Sequence, residues 1–298
     1  MTDSNDADVG DVRNWVFDWQ PKIRKPQVHY SALDLLWRCG IAFEFRYLKR
    51  MRLPPTSPLH VGRGVDHAAN INLQHKIDTD ALLTTEHVLD LARDRTRESF
   101  EDSGVTLAPD EPTEIAARDM AVDKAVRLTK LHATQLAPKL KPNAVQKSFA
   151  LEIQNFSFDV VGTRDLDDID GAVHDLKTAR KSPSKHAAAQ SDQGTLYALS
   201  AWVIDKRAAP ITFALDTLVD LKRETKLVTQ SSTRNEADFA VMAKRIENAE
   251  RIILSGAFTP ARQTDWFCDL RYCEFAKICP YFRRPVTVAV PNGGFDDE

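Results

Sequence analysis

The stretch Gly162-Thr163-Arg164-Asp165-Leu166-Asp167-Asp168-Ile169-Asp170-Gly171-Ala172-Val173-His174-Asp175-Leu176-Lys177 decides the fold. Its middle suits a hairpin with the three-residue loop 169–171, in which Gly171 takes the left-handed position of a bulge. Counting outward from that loop sets Asp165 opposite Asp175, with Cβ atoms about 4.5–5.5 Å apart. Alternation along the strand puts Lys177 on the same face as Asp175. Two opposed carboxylates repel unless a cation or a shared proton joins them, and a divalent metal is the economical explanation. A lysine beside such a metal suits phosphodiester hydrolysis, because the metal acidifies water and neutralises phosphate while the ammonium stabilises developing charge. Hard oxygen ligands favour magnesium or manganese. The same residues also fit an exposed acidic hairpin closed by a salt bridge to Lys177.

Upstream of the hairpin, 145–153 and 156–165 alternate apolar and polar residues around a turn candidate at Gln154-Asn155, and 172–177 completes a meander. A helix is predicted over about 187–204, strands near 211–219 and 226–229, and a long helix over about 235–254. Near the N-terminus, Ser31 as N-cap with Asp34 three residues on opens a helix to about Lys49, before Pro54-Pro55 breaks it. A second helix is predicted from near Gly62, and 80–136 reads as two or more polar amphipathic helices interrupted around 104–112, suited to a cap or subdomain. The order helix, antiparallel meander, helix, strand predicts an α/β sandwich around a mixed sheet.

The 298 residues, 43% hydrophobic, are enough to bury the core of one large domain or of one domain with an added subdomain. Apolar runs fall well short of the roughly 20 residues needed to span a bilayer, and the polar, acidic N-terminus is not signal-like, so a soluble cytoplasmic protein without a membrane partner is expected. A net charge of -3 gives no overall attraction to nucleic acid and shifts attention to local basic clusters. No Gly-Lys-Ser/Thr phosphate loop occurs, which argues against an ATP-driven motor. Of the four cysteines, Cys268, Cys273 and Cys279 crowd together and Cys39 stands far away, a grouping that points toward metal ligation.

Gly162-Thr163-Arg164-Asp165 resembles the Gly-x-x-Asp motif of the RecB-like branch of the PD-(D/E)XK nucleases, which includes nuclease domains of bacterial recombination enzymes and of CRISPR spacer-acquisition proteins. Asp175-Leu176-Lys177-Thr178 resembles that branch's (D/E)-x-K-T motif, and Gln193-Gly194-Thr195-Leu196-Tyr197 its Gln-x-x-x-Tyr helix. Tyr30-Ser31-Ala32-Leu33, followed by Cys39, is similar to its opening Ser-to-Cys segment, and the matches keep the family's order from about 30 to 282. The resemblance implies a restriction-endonuclease-like core with a central mixed sheet flanked by helices, and catalysis by Asp165, Asp175 and Lys177. One position departs: Gly62-Arg63-Gly64-Val65-Asp66-His67 carries Asp66 where the family has His. Neighbouring helical residues point about 100° apart, so spacing favours Asp66 as third metal ligand beside Asp165 and Asp175, with His67 the alternative. Gln193 and Tyr197 share a helical face at i, i+4 and by resemblance hold the lysine or the DNA backbone; a polar flank with a core tyrosine is the plainer reading. Arg180, Lys181 and Lys185 follow the strand and suit either phosphate contacts or a solvated loop.

Cys39 with Cys268, Cys273 and Cys279 resembles the iron-sulfur clasp of the same branch, one early and three late cysteines around a four-iron cluster. Zinc and unligated core cysteines are the alternatives. The expected organisation is a flexible arm over 1–25, a nuclease domain over 26–284 with a helical insertion at about 78–140 and the cysteine cluster at its end, and a tail over 285–298. The expected activity is a magnesium- or manganese-dependent deoxyribonuclease, an exonuclease on single-stranded or end-containing DNA in recombination, repair or phage and defence processing. A helicase or other recombination or defence protein is an expected partner. The alternatives are a structure-specific or spacer-processing endonuclease, a catalytically silent DNA-binding module, and an enzyme directed at RNA.

Overall fold

The computed structural model describes residues 25–282 apart from Lys222 and Arg271; apart from Lys25, the expected arm and tail lie outside the described residues. The chain opens with strand β1 (Gln27–His29), helix α1 (Tyr30–Arg38) and a short α2 (Gly40–Phe43) that widens into a π turn over Glu44–Leu48. Three helices follow, α3 (Ser57–Thr79), α4 (Thr85–Ser103) and α5 (Glu114–Leu131). After them come β2 (Pro142–Leu151), β3 (Asp159–Asp168), β4 (Val173–Ala179), α6 (Asp192–Val203), β5 (Ile211–Asp220), β6 (Thr225–Arg234) and α7 (Glu236–Ser255).

The strands form one mixed sheet in the order β1-β3-β4-β5-β6, with β2 joined to β3. The meander β2-β3-β4 is antiparallel, whereas β4 and β5 run parallel and need the α6 crossover between them. Because β2 pairs along nearly all of β3, the other edge of β3 is shared: β1 holds 159–161 and β4 holds only Leu166 and Asp167. Between those two ladders the edge around Asp165 stays open.

Both faces of the sheet are covered by helices, as expected for a restriction-endonuclease-like core. On one, Leu33 and Leu36 of α1, Leu196 and Leu199 of α6, and Phe239 and Met242 of α7 bury against Phe149, Val160 and Val173. On the other, Val61 and Val65 of α3 and Ala121, Ala125 and Leu128 of α5 close over Leu176 and Leu218. Each fully buried side chain of this size stabilises the fold by about 1.5–3 kcal/mol. The central strand β5 is buried on both faces from Phe213 to Val219, which is why its sequence shows no alternation. Gly162 sits where a Cβ would lie 2.5 Å from the Phe149 ring, so that motif glycine has a packing reason on the paired strand. Among the described residues, no helix is long and apolar enough to cross a membrane.

Several local expectations change. The helix expected behind a Ser31 cap and running to about Lys49 starts two residues earlier, at Tyr30 behind His29 with no side-chain cap, and it breaks at Cys39, whose φ of -159° and ψ of 103° are extended. The break points Cys39 Sγ at the Ala261 backbone N–H, 3.4 Å away, a tertiary reason that helical periodicity does not carry. Helix α3 begins at Ser57 rather than near Gly62, with a proline in its first turn, a start signal that the glycines obscured. Strand β3 begins at Asp159, not at Phe156, because Asn155 turns with φ 66°. Helix α6 begins at Asp192, where Ser191 caps it, rather than near Ala187. Strand β6 extends to Arg234, well past Thr229, because it pairs with β5 along its whole length. Helices α4 and α5 pack on α3 and, through α5, on β5 and β6.

Candidate active site

The hairpin closes as its turn chemistry predicts. Asp168 N–H donates to Ala172 O at 3.0 Å, Gly171 takes φ 89°, and Asp168 Oδ1 accepts from Ala172 N–H at 2.7 Å. Pairing runs through Asp167 with Val173 and Leu166 with His174, then stops one pair short of Asp165 and Asp175. In place of a ladder bond, Leu176 N–H donates to Asp165 Oδ2 at 3.0 Å. The strands therefore part where the two carboxylates meet.

Asp175 is buried; its Oδ1 accepts from Lys177 Nζ at 2.8 Å, and its Oδ2 has no hydrogen-bond partner. Burial raises its pKa, against the pull of Lys177. Asp165 is pushed up to about 8, by burial first and then by the charge of Asp175. Asp66 approaches from α3, half-buried; burial raises its pKa while its hydrogen bond to Asn70 and the charge of Lys177 oppose that shift. Burial would lower the pKa of Lys177, but Asp175, Asp165 and Asp66 together hold it above its usual value, so it stays an ammonium. Its side chain is still 46% exposed and open to an incoming anion.

The structure thus brings Asp66, Asp165, Asp175 and Lys177 together and leaves His67 exposed on the helix. From α6, Gln193 Nε2 donates to Tyr197 Oη at 2.6 Å. Burial and then the charges of Asp165 and Asp175 raise the pKa of the Tyr197 hydroxyl. Arg180 and Lys181 stand exposed past the end of β4, and Arg180 lies 3.9 Å from Asp110.

Two features escaped sequence reasoning. Asn70 sits beside Asp66 and lowers its pKa, and its i, i+4 spacing was an available signal. Beneath the hairpin, fully buried Arg164 grips Asp167 through two nitrogens at 2.9 and 2.7 Å and reaches Asp205 at 2.5 Å. Arg207 joins Asp167 at 2.5 Å and donates to Gly171 O at 3.2 Å, tying the turn to the end of α6. Removing one member of such a buried set costs about 3–5 kcal/mol, and no local pattern announces it.

The four cysteines converge at the far end of α1. Cys39, Cys273 and Cys279 pack with Ile41, Phe45 and Phe275, and all four are free thiols. The Cys273 thiol is pushed up to about 11, by burial first and also by the neighbouring Cys39, Cys279 and Cys268. Among the described residues, no set of three or more His, Cys, Asp or Glu side chains stands arranged to hold a metal ion. The donor chemistry nevertheless fits one at the hairpin, where a buried carboxylate oxygen lacks a partner and a second carboxylate is held against its preferred charge.

An open-edged hairpin with two adjoining carboxylates and a lysine, on a mixed sheet between helices, is the layout of a nuclease core. The sequence profile of the PD-(D/E)XK nuclease superfamily matches residues 27–280, and the chain belongs to that superfamily. Among solved structures, it shares its fold with a Eubacterium rectale protein provisionally described as an exonuclease, with a TM-score of 0.54, 13% identity and 97% of each chain covered. The structure of SSO0001 aligns over 88% of this chain and 90% of its own at 11% identity, but its TM-score of 0.36 carries no argument. No curated protein matches in sequence.

Proposed function

We propose that this protein is a magnesium- or manganese-dependent nuclease that hydrolyses DNA phosphodiester bonds, acting as an exonuclease on single-stranded or end-containing DNA. One observation carries the reading: a buried carboxylate with an unpartnered oxygen, a second carboxylate raised to about 8 beside it, and an ammonium bonded to the first. Asp66, Asp165 and Asp175 would hold the cation. The chemistry a divalent cation supplies in such a site is acidification of water and neutralisation of phosphate charge. Lys177, fixed by Asp175 yet partly open, offers its N–H groups to the phosphate oxygens on which charge develops. Without the cation Asp165 holds a proton near neutral pH, and binding of the ion would displace it. Gln193 fixes the Tyr197 hydroxyl, which keeps its own hydrogen to donate toward the carboxylates or the DNA backbone, and Arg180 and Lys181 meet phosphates farther along.

The cysteines complete the proposal as ligands of a structural iron-sulfur cluster, most simply a four-iron one, that pins the start of the domain to its end. The setting is cytoplasmic recombination, repair or defence processing of DNA, alongside a helicase or another protein of those pathways.

The test is digestion of end-labelled single-stranded, duplex and circular DNA with manganese, using wild type, Asp165→Ala and Asp175→Ala. Progressive loss from ends by the wild type, and none by the variants, is the expected result. Cutting of circles would make it an endonuclease. Binding without any cutting would make it a silent module, cleavage of RNA alone would change the substrate, and full activity in either variant would remove the hairpin from the mechanism.

A further inference from the structure

Helix α3 carries two glycines, Gly62 and Gly64, and only one of them has a packing reason. A Cβ at Gly64 would lie 2.0 Å from Thr96 Oγ1 and 2.9 Å from Ala92 O, so the close approach of α4 demands glycine there. A Cβ at Gly62 would meet nothing nearer than Thr178 Oγ1, at 3.9 Å, which is an ordinary contact. Glycine inside a helix is destabilising relative to alanine, so Gly62 weakens α3 with nothing in the packing of the free protein to require it.

The space left by that missing side chain adjoins the carboxylates. Gly62 stands one helical turn before Asp66, about 6 Å along the axis, and on the same face. Across from it, Thr178 follows Lys177 directly on β4 and shares a face with Leu176, which packs against Val61 and Val65 of α3. The pairing of β3 with β4 has stopped at Leu166 and His174, so this length of β4 is open along that edge. Gly62 and Thr178 are half-buried rather than sealed, and Thr178 Oγ1 has no hydrogen-bond partner among the described residues. Just past Thr178, Arg180 and Lys181 stand exposed. A gap with a free hydroxyl in its floor therefore lies between the carboxylate centre and the cations that follow it.

We propose that the DNA strand crosses α3 at Gly62, where the absent side chain admits its backbone, and that the phosphate next to the scissile one accepts a hydrogen bond from the Thr178 hydroxyl. Glycine is the residue that lets a ligand come close to the backbone. A hydroxyl contact to phosphate fixes the register of the strand without reading its sequence. The crossing rests on the nuclease reading for the identity of the polymer.

Three measurements on the full-length protein test this: melting curves, calorimetric titration of calcium, and anisotropy of a labelled oligo(dT) in calcium, an ion expected to support turnover poorly. Gly62→Ala should melt about 1–2 °C above the wild type, because alanine favours the helix and the space is open. The same variant should bind DNA more weakly, so stability and affinity move in opposite directions. Gly62→Leu should bind about tenfold more weakly or worse. Thr178→Val should match that loss, since a hydrogen bond to a charged group is worth about a factor of ten or more, and Thr178→Ser should bind like the wild type. Calcium affinity should stay the same throughout, because neither side chain holds the ion. Combining Gly62→Leu with Thr178→Val should weaken binding no further than the poorer single variant, because both act on one phosphate.

Wild-type affinity in Gly62→Leu, a melting temperature lowered by Gly62→Ala, or losses that multiply in the double variant would each overturn the crossing, as would a wild type with no affinity for oligo(dT). If Gly62→Leu misfolds, Gly62→Ala and the two Thr178 variants still decide the matter. A protein that binds in this pattern but never cuts with manganese would sink the nuclease reading and leave the crossing standing. One that cuts, with kcat/KM unchanged in Gly62→Leu and Thr178→Val, would do the reverse.

Discussion

Without divalent cations, this protein should lose stability as pH rises through neutrality, and the buried pair Asp165 and Asp175 should be the main cause. Its carboxyl is lifted from 3.8 to about 8 in the fold, by burial and then by Asp175. The folded state thus keeps a proton that the unfolded chain releases above about pH 4. The stability tied to that proton is fully present below about pH 4 and is lost progressively as pH climbs to about 8. One proton contributes at most about 1.4 kcal/mol per pH unit inside that window. For a chain of 298 residues 1 kcal/mol moves the melting temperature by about 1.5–2 °C. Between pH 5.5 and 7.5 the melting temperature should then fall by about 5 °C on account of Asp165. The assay is a melting series in chelated buffer on wild type and Asp165→Asn, whose neutral amide cannot titrate. The variant should show the shallower slope and should gain on the wild type steadily as pH rises toward 8. Magnesium or manganese should flatten the wild-type slope, because the ion replaces the proton and its stabilisation grows with pH. Parallel slopes for wild type and variant would show that Asp165 is not held protonated, and the buried-pair argument would fall.

Lys177→Ala should reduce turnover by about 10²–10³-fold while leaving metal affinity nearly intact, since its N–H groups serve the phosphate; calorimetry showing lost metal affinity with turnover kept would reverse that role. Asp66→Ala should cost more activity than His67→Ala, and the opposite ranking in a cleavage assay would move the third ligand to His67. EDTA should stop the reaction and calcium should support it poorly, because the larger ion acidifies water less. Anaerobically purified protein should be brown, and Cys39→Ser and Cys273→Ser should each deplete iron and lower the melting temperature. Colourless protein with stoichiometric zinc, or an iron-loaded and equally stable Cys39→Ser, would break the proposed clasp.

What the sequence determined by itself is what short range controls. The hairpin register follows from a three-residue loop and a glycine with positive φ, so the adjacency of Asp165 and Asp175 could be counted outward from Gly171. The helix at 236–255 was equally legible, expected over about 235–254, and the structure adds a capping box of Asn235 and Asp238 at its start. Tertiary structure decided the rest. The three residues of β1 have no pattern of their own and exist as a strand only through parallel pairing with β3. The break at Cys39 overrides a continuous helical period because the far segment 258–279 packs there. The charge state of the site was equally illegible, since a carboxyl's pKa depends on how much water neighbouring elements exclude and which charges they bring. Asp66 arrives from α3 to join Asp175 and Lys177 of β4 in setting it, and local sequence periodicity carries no record of desolvation.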